Sequence, residues 1–208
     1  MPRSAEQTRK RILDGAYTLF RRHGYSRVSM DDIAAKASFT KRTLYHHFKS
    51  KDQLLADVLA CQQELALQAF KTFGDRLSGS PEAIVEGMFR ELAVWADRPR
   101  WAGSGFTRLV IELADLPGHP ARLIARRHKA RLERCLGELL ERSGVRRAGE
   151  LARAIWLLSE GAISLILVHG DQGYSAAAAN AAMTLVRSHL DKHQKAVRAA
   201  GNGSVNWR

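Results

Sequence analysis

Lys41, Arg42, Thr43, Tyr45, His46 and His47 fall within seven residues, with Leu44 the one aliphatic side chain among them. No nucleophile–base arrangement is placed by this stretch. His46 and His47 do not suggest a metal either, because adjacent helical residues point about 100° apart and cannot chelate on one face. The stretch instead offers cations and multiple hydrogen-bond donors, the side-chain chemistry that reads base edges and grips phosphates. On a helix, Leu44 and Phe48, four residues apart, turn inward together and leave Lys41, Arg42, Thr43, Tyr45 and His46 on the outer side. That is the layout of a helix that lies in the DNA major groove.

The elements around it must hold that helix. Ile12, Ala16, Leu19 and Phe20 form one apolar stripe, so a first helix is expected over residues 5–23, with Gly24 as a left-handed stop. Ser29 with Asp32 three residues on resembles a capping box, followed by Met30, Ile33, Ala34 and Ala37 on one face. Residues 37–39 make a turn, and Thr40 can cap the third helix.

Charge sharpens this reading. The chain has 208 residues and a formal net charge of +12. Residues 1–51 hold 12 Lys/Arg against 4 Asp/Glu, whereas residues 52–192 hold 18 against 17. A basic segment attached to a nearly neutral body is the electrostatic footprint of polyanion binding. Cys61 and Cys135 are too few for a disulfide framework and suit a reducing cytosol as small apolar packers. The N-terminus lacks the apolar stretch of a signal peptide, and the apolar window at 154–168 is interrupted by Ser159, Glu160 and Gly161. The expectation is a soluble cytoplasmic protein with no membrane partner, no cofactor, no metal and no catalytic site.

Strand signals are nearly absent, so the fold class is all-α. Helix four is expected from about 51 to 77, ended by the 78–81 Ser-Gly-Ser-Pro cluster, and helix five from Pro81 to about Ala96. Residues 98–105 read as a loop, 106–116 as helix six and 119–143 as an amphipathic helix seven with a solvated basic face. Helix eight, about 147–170, is apolar nearly all round and must be covered on every side. Helix nine, about 176–190, opens with small side chains that admit a close neighbour. Packing the last two helices against their symmetry mates makes a four-helix homodimer interface, for which Ile155, Leu158, Ala162, Leu165, Ala178, Ala182 and Val186 are the candidates.

Residues 8–59 closely resemble the DNA-binding domain of tetracycline-repressor-like (TetR family) bacterial transcription regulators. The matching elements are Arg11-Ile12-Leu13, Ala16, Leu19-Phe20, Gly24-Tyr25, Ile33-Ala34, Ala37, Thr43-Leu44-Tyr45-His46-His47-Phe48, Ser50-Lys51-Asp52 and Leu54-Leu55. The chain departs from the family at the turn, where Ser38-Phe39-Thr40 and then Lys41-Arg42 replace the usual Gly-Val-Ser and Lys-Gly. The resemblance implies a nine-helix fold. It consists of a three-helix helix-turn-helix domain over 1–51, helix four as connector, an effector-binding and dimerisation domain over 52–192, and a flexible basic tail over 193–208.

By position in that motif, Lys41, Arg42, Thr43 and His46 are assigned to base edges or their borders, and Tyr45, His47 and Lys51 to phosphates. Arg42, absent from the usual pattern, is a specificity element or a phosphate grip. Ser29 and Thr40 each have two jobs open, helix capping and phosphate bonding. The resemblance also implies double-stranded DNA carrying a palindromic operator as partner, and a small-molecule inducer that releases the dimer. Candidate effector contacts are Phe70, Phe89, Trp95, Trp101, Phe106, Glu112, His128 and Trp156, with Trp95 and Trp101 beside the Gly-rich loop the best pair. Activation instead of repression, or a ligand- or protein-binding module without DNA binding, are the alternatives.

Overall fold

The computed structural model describes residues 4–76 and 79–201. Those residues form nine helices and no strand. They are α1 (Ala5–His23), α2 (Met30–Ala37), α3 (Lys41–His47), α4 (Lys51–Arg76), α5 (Pro81–Ala96), α6 (Gly105–Glu112), α7 (Pro120–Arg142), α8 (Ala148–His169) and α9 (Gly173–Gly201).

Local chemistry sets the first boundaries. Ser4 and Ser29 each accept from the backbone N–H three residues on, and Gln7 and Asp32 return the bond, so both helices start in full capping boxes. Gly24, at φ +83°, donates its N–H to Phe20 and ends α1 where a side chain would be strained. Ser80 caps α5 with Pro81 in its first turn, where the missing N–H has no helical partner to lose.

Two compact units result, residues 4–69 with 102–130 and residues 70–101 with 131–201. The expected boundary at 51 lies inside the first unit, because α6 and the first half of α7 return to the N-terminal helices. The core of this unit joins Ile12, Phe20, Ile33, Leu44, Phe48, Leu54 and Leu55 to Phe106, Leu109 and Leu113. In the second unit α5, α8 and α9 pack together around Val85, Phe89, Leu136, Leu140, Ile155, Ala182 and Val186.

The ends of α6 and α9 differ from expectation. Helix α6 starts one residue early, since Ser104 accepts from the N–H of Thr107, and it stops at Glu112 instead of 116. Leu113 is already out of helical register and turns into the core at 1% exposure, while i→i−3 bonds to Val110, Ile111 and Leu113 tighten the chain into turns. Helix α9 begins at Gly173, whose N–H is held by Asp171, and continues to Gly201. Residues 193–201 therefore belong to a helix and not to a flexible tail, while 202–208 and the expected end of helix four at 77 lie outside the described residues.

The dimer candidates need a larger correction. Ile155, Ala162, Ala178, Ala182 and Val186 are buried within the protomer, and Leu158 is half-buried against the same core. These are the residues with which α8 and α9 pack on each other and on α5. An all-round apolar helix leaves its inward face undetermined from sequence, and the opposite face was the one left outside. Leu157 is 73% exposed and Val168 74%, with Gly161, Ser164 and Leu165 between them at helical spacing of four, three and one. Leu165 alone of the seven candidates is exposed. Helix α8 is also the one helix among the described residues long and apolar enough to cross a bilayer, but its packing on α5 and α9 is that of a core helix with one open face.

Candidate nucleic-acid interface

Helix α3 is seven residues long and buries a single side chain, Leu44. Leu44 at its centre and Phe48 at its end, both almost wholly enclosed, pin it to the core of the first unit. Everything else on it faces outward or sideways: Lys41, Arg42, Tyr45 and His46 are exposed, Thr43 and His47 half-exposed. The seven-residue run read from the sequence thus becomes a polar, cationic ridge on a short, firmly seated helix.

The turn before it carries strain and a cap. Ser38 adopts the left-handed conformation (φ 59°, ψ 48°), which costs a non-glycine residue about 1–2 kcal/mol. Its N–H is held by Ala34 and Ala35, and the Phe39 N–H reaches back to Ala34 at 3.0 Å. Thr40 then accepts from the Thr43 N–H at 3.1 Å, with the two hydroxyls 2.9 Å apart. Ser29 and Thr40 are therefore both helix caps, and both hydroxyls stay on the exposed surface.

Sequence reasoning missed the residues that brace this turn. Arg11 on α1 donates to the carbonyl of Ala37 at 3.0 Å and lays its guanidinium 5.0 Å from the Phe39 ring centre. Arg9, two residues earlier, bonds Asp57 on α4 at 2.9 Å and covers Phe48 at 5.2 Å. Both look like surface cations in the sequence. The clue to Arg11 was the departure at Phe39, since an aromatic in the turn offers a face on which a guanidinium can stack.

Lys51 departs from its expected place at the phosphates. Its ammonium donates to the carbonyls of Tyr25 and Val28 at 3.1 and 3.0 Å and sits 4.2 Å from the Tyr25 ring centre. It ties the start of α4 to the α1–α2 loop. Lys41 pairs with Asp31 at 2.8 Å, and that hydrogen bond raises its pKa, so it remains a cation that a phosphate or base edge can recruit. Partial burial, then the neighbouring His46 and Arg9, lower the His47 pKa, which keeps its ring neutral. The two imidazoles stand nearly perpendicular, at 81°.

The effector candidates are divided between the two units. Phe106, Glu112 and His128 belong to the first unit, and Phe70, Phe89, Trp95, Trp101 and Trp156 to the second. Phe89 is core at 2% exposure, and Glu112 is occupied by backbone N–H groups, so neither suits a pocket wall. Trp95 and Trp101 meet edge to face at 5.3 Å, as an aromatic pair should. Phe106 and His128 stack at 3.8 Å, and burial, helped by Lys129, pushes the His128 pKa down to about 4.

Comparison with known proteins bears on this geometry. Residues 12–58 match the family model for bacterial regulatory proteins of the tetR family, the stretch that holds most of α1, all of α2 and α3, and the start of α4. SCO4454, a TetR-family transcriptional regulator from Streptomyces coelicolor, superposes with a TM-score of 0.78 at 25% identity, covering 88% of this chain and 96% of that one.

Residues 12–58 match the TetR-family DNA-binding domain, and the chain shares the fold of a TetR-family regulator.

Two curated relatives match over shorter lengths. The Escherichia coli K12 regulator UidR is 38% identical over 71 residues, and SrpR of Pseudomonas putida is 40% identical over 85. The chain spans only 36% and 39% of their lengths. A TetR-family regulator from Agrobacterium tumefaciens, at 21% identity and a TM-score of 0.75, shares the fold. The stretch shared with these regulators includes the helix-turn-helix of α2 and α3.

Proposed function

We propose that this chain is a transcriptional repressor that binds a palindromic operator as a homodimer and leaves it when a small molecule binds. The observation that carries the reading is the exposed face of α3, seated by Leu44 and Phe48 and bearing Lys41, Arg42, Thr43 and His46 toward solvent. These four contact base edges, with Arg42 supplying the forked donor that matches guanine. Tyr45, His47 and the cap hydroxyls of Ser29 and Thr40 contact phosphates and fix the register. Lys51 is removed from this set because its ammonium already serves two carbonyls of the α1–α2 loop.

A head this small covers one half-site. The second comes from a second copy, paired through the open face of α8 around Leu157, Leu165 and Val168. A twofold pair places the two α3 helices in major grooves about one helical turn, roughly 34 Å, apart. The effector site lies in the second unit, where Trp95 and Trp101 offer flat apolar walls, and the protein acts in the cytoplasm. Selection of bound genomic fragments tests the reading. An inverted repeat bound by two copies supports it, and fragments recovered without a common motif contradict it.

A further inference from the structure

Helix α6 meets the end of α1 at two polar points, one helical turn apart. Arg108 donates to the carbonyl of Arg21 at 3.1 Å and to that of Ala102 at 3.2 Å. Glu112, four residues on, accepts from the backbone N–H of Tyr25 at 2.6 Å and of Ser26 at 3.2 Å. A cation thus satisfies a carbonyl that the last turn of α1 leaves open, and an anion satisfies the loop amides just beyond it.

The surroundings support a built contact. Gly24 lies between the two points, and a side chain there would run into the Glu112 carboxylate. Tyr25, whose N–H is the nearer of the two held by Glu112, gives its hydroxyl to Asp52 at the start of α4. Burial first, then the Asp52 bond and charge, push that phenol's pKa up and keep it protonated as a donor. His119, enclosed beyond the end of α6, accepts the Ala121 N–H on Nδ1, which leaves its Nε2–H 3.6 Å from the same Asp52 carboxylate and its ring edge-on to Tyr25. The α1–α2 loop is therefore held from α4 by Asp52 and Lys51, and from α6 by Glu112.

We propose that Arg108 and Glu112 are positioning residues for DNA binding, a two-point clamp that fixes the angle at which each reading head is presented. The inference rests on the DNA-binding reading above and touches no base or phosphate itself. Residues 102–130 belong to the same compact unit as α1–α3, so the contacts seating α6 on α1 set the internal geometry of the reading head. A restrained pair of heads fits one half-site separation only, and a slack pair tolerates others.

The test uses the full-length protein in two arms. In the first, hydrogen exchange is followed at the Tyr25 and Ser26 amides without DNA. Glu112→Ala should speed exchange at both by about tenfold or more, as for loss of a charged acceptor, and Glu112→Gln, which keeps an acceptor oxygen, should speed it less. In the second arm, affinity is measured for the selected operator and for the same duplex with one base pair inserted between half-sites. Wild type should reject the insertion strongly, while Glu112→Ala and Arg108→Ala should discriminate at least about fivefold less, with the salt dependence of operator binding unchanged because no phosphate contact is lost. Loss of global stability alone would not alter spacing preference. Unchanged amide exchange, or full retention of spacing discrimination in both variants, overturns the clamp. A wild-type protein that selects no duplex refutes the DNA-binding reading instead, and the exchange arm still decides whether the clamp exists.

Discussion

Leu157→Ala gives the sharpest test of how two copies meet. Leu157 stands 73% exposed at the middle of α8, opposite Ile155, which is wholly enclosed by α5 and α9. If the open α8 face is the dimer interface, that exposed share is the area a partner covers. Removing three carbons at about 0.8 kcal/mol each gives about 2.4 kcal/mol for full burial. Scaled by the exposed share, this becomes about 1.8 kcal/mol per protomer, and twofold symmetry doubles it to about 3.5 kcal/mol per dimer. That corresponds to a dimer dissociation constant raised about 300-fold. Sedimentation velocity across a concentration series reads the change, with circular dichroism confirming that helix content and melting of the protomer are retained. Ile155→Ala should behave oppositely, lowering protomer stability by about 2–5 kcal/mol through a cavity. A Leu157→Ala protein whose dissociation constant equals that of wild type would refute the assignment of this face.

Three further outcomes follow from individual side chains. Arg42→Ala should cost roughly 1–3 kcal/mol on the operator and relax one base position, and a gel-shift series with unchanged affinity and specificity would remove it from base reading. Lys51→Ala should lower unfolding stability by about 1.5–3 kcal/mol, since the Tyr25 and Val28 carbonyls lose a charged donor, yet leave the slope of log affinity against log salt intact; a flatter slope would restore it to the phosphates. His128 titrates near 4 in the fold and about 6.5 when unfolded, so below pH 6.5 the unfolded chain binds the extra proton and stability falls with pH. Between pH 7 and pH 5 wild type should lose about 2 kcal/mol relative to His128→Leu in urea titrations, and parallel pH profiles for the two proteins would contradict this.

The N-terminal helices were legible because their determinants are local. Ser29, Asp32, Gly24 and Thr40 act within three or four residues, and Leu44 with Phe48 betrays the buried side of α3 by spacing alone. The faces and ends that depend on distant partners were not. Nothing near Glu112 marks it as the acceptor for amides 86 and 87 residues away, and its class, an acid on a short helix, suggested a ligand contact. Lys51 looked like any cation beside a recognition helix until the Tyr25 and Val28 carbonyls were placed against it. Helix α8 shows the limit of periodicity: with apolar residues on all sides, the choice of inward face is made by α5 and α9, so Ile155 and Ala162 were assigned outward when Leu157 and Val168 are the ones exposed. The continuation of α9 past Leu190 was hidden by a polar sequence without a stripe.

The most direct test of the central claim is a crystal structure of the full chain bound to a duplex recovered by fragment selection. Two copies related by a twofold axis should each lay α3 in a major groove, with Arg42 within hydrogen-bond distance of a base edge and Lys51 still on the Tyr25 and Val28 carbonyls. A complex in which α3 points away from the duplex, or in which a single copy binds through another surface, would contradict it.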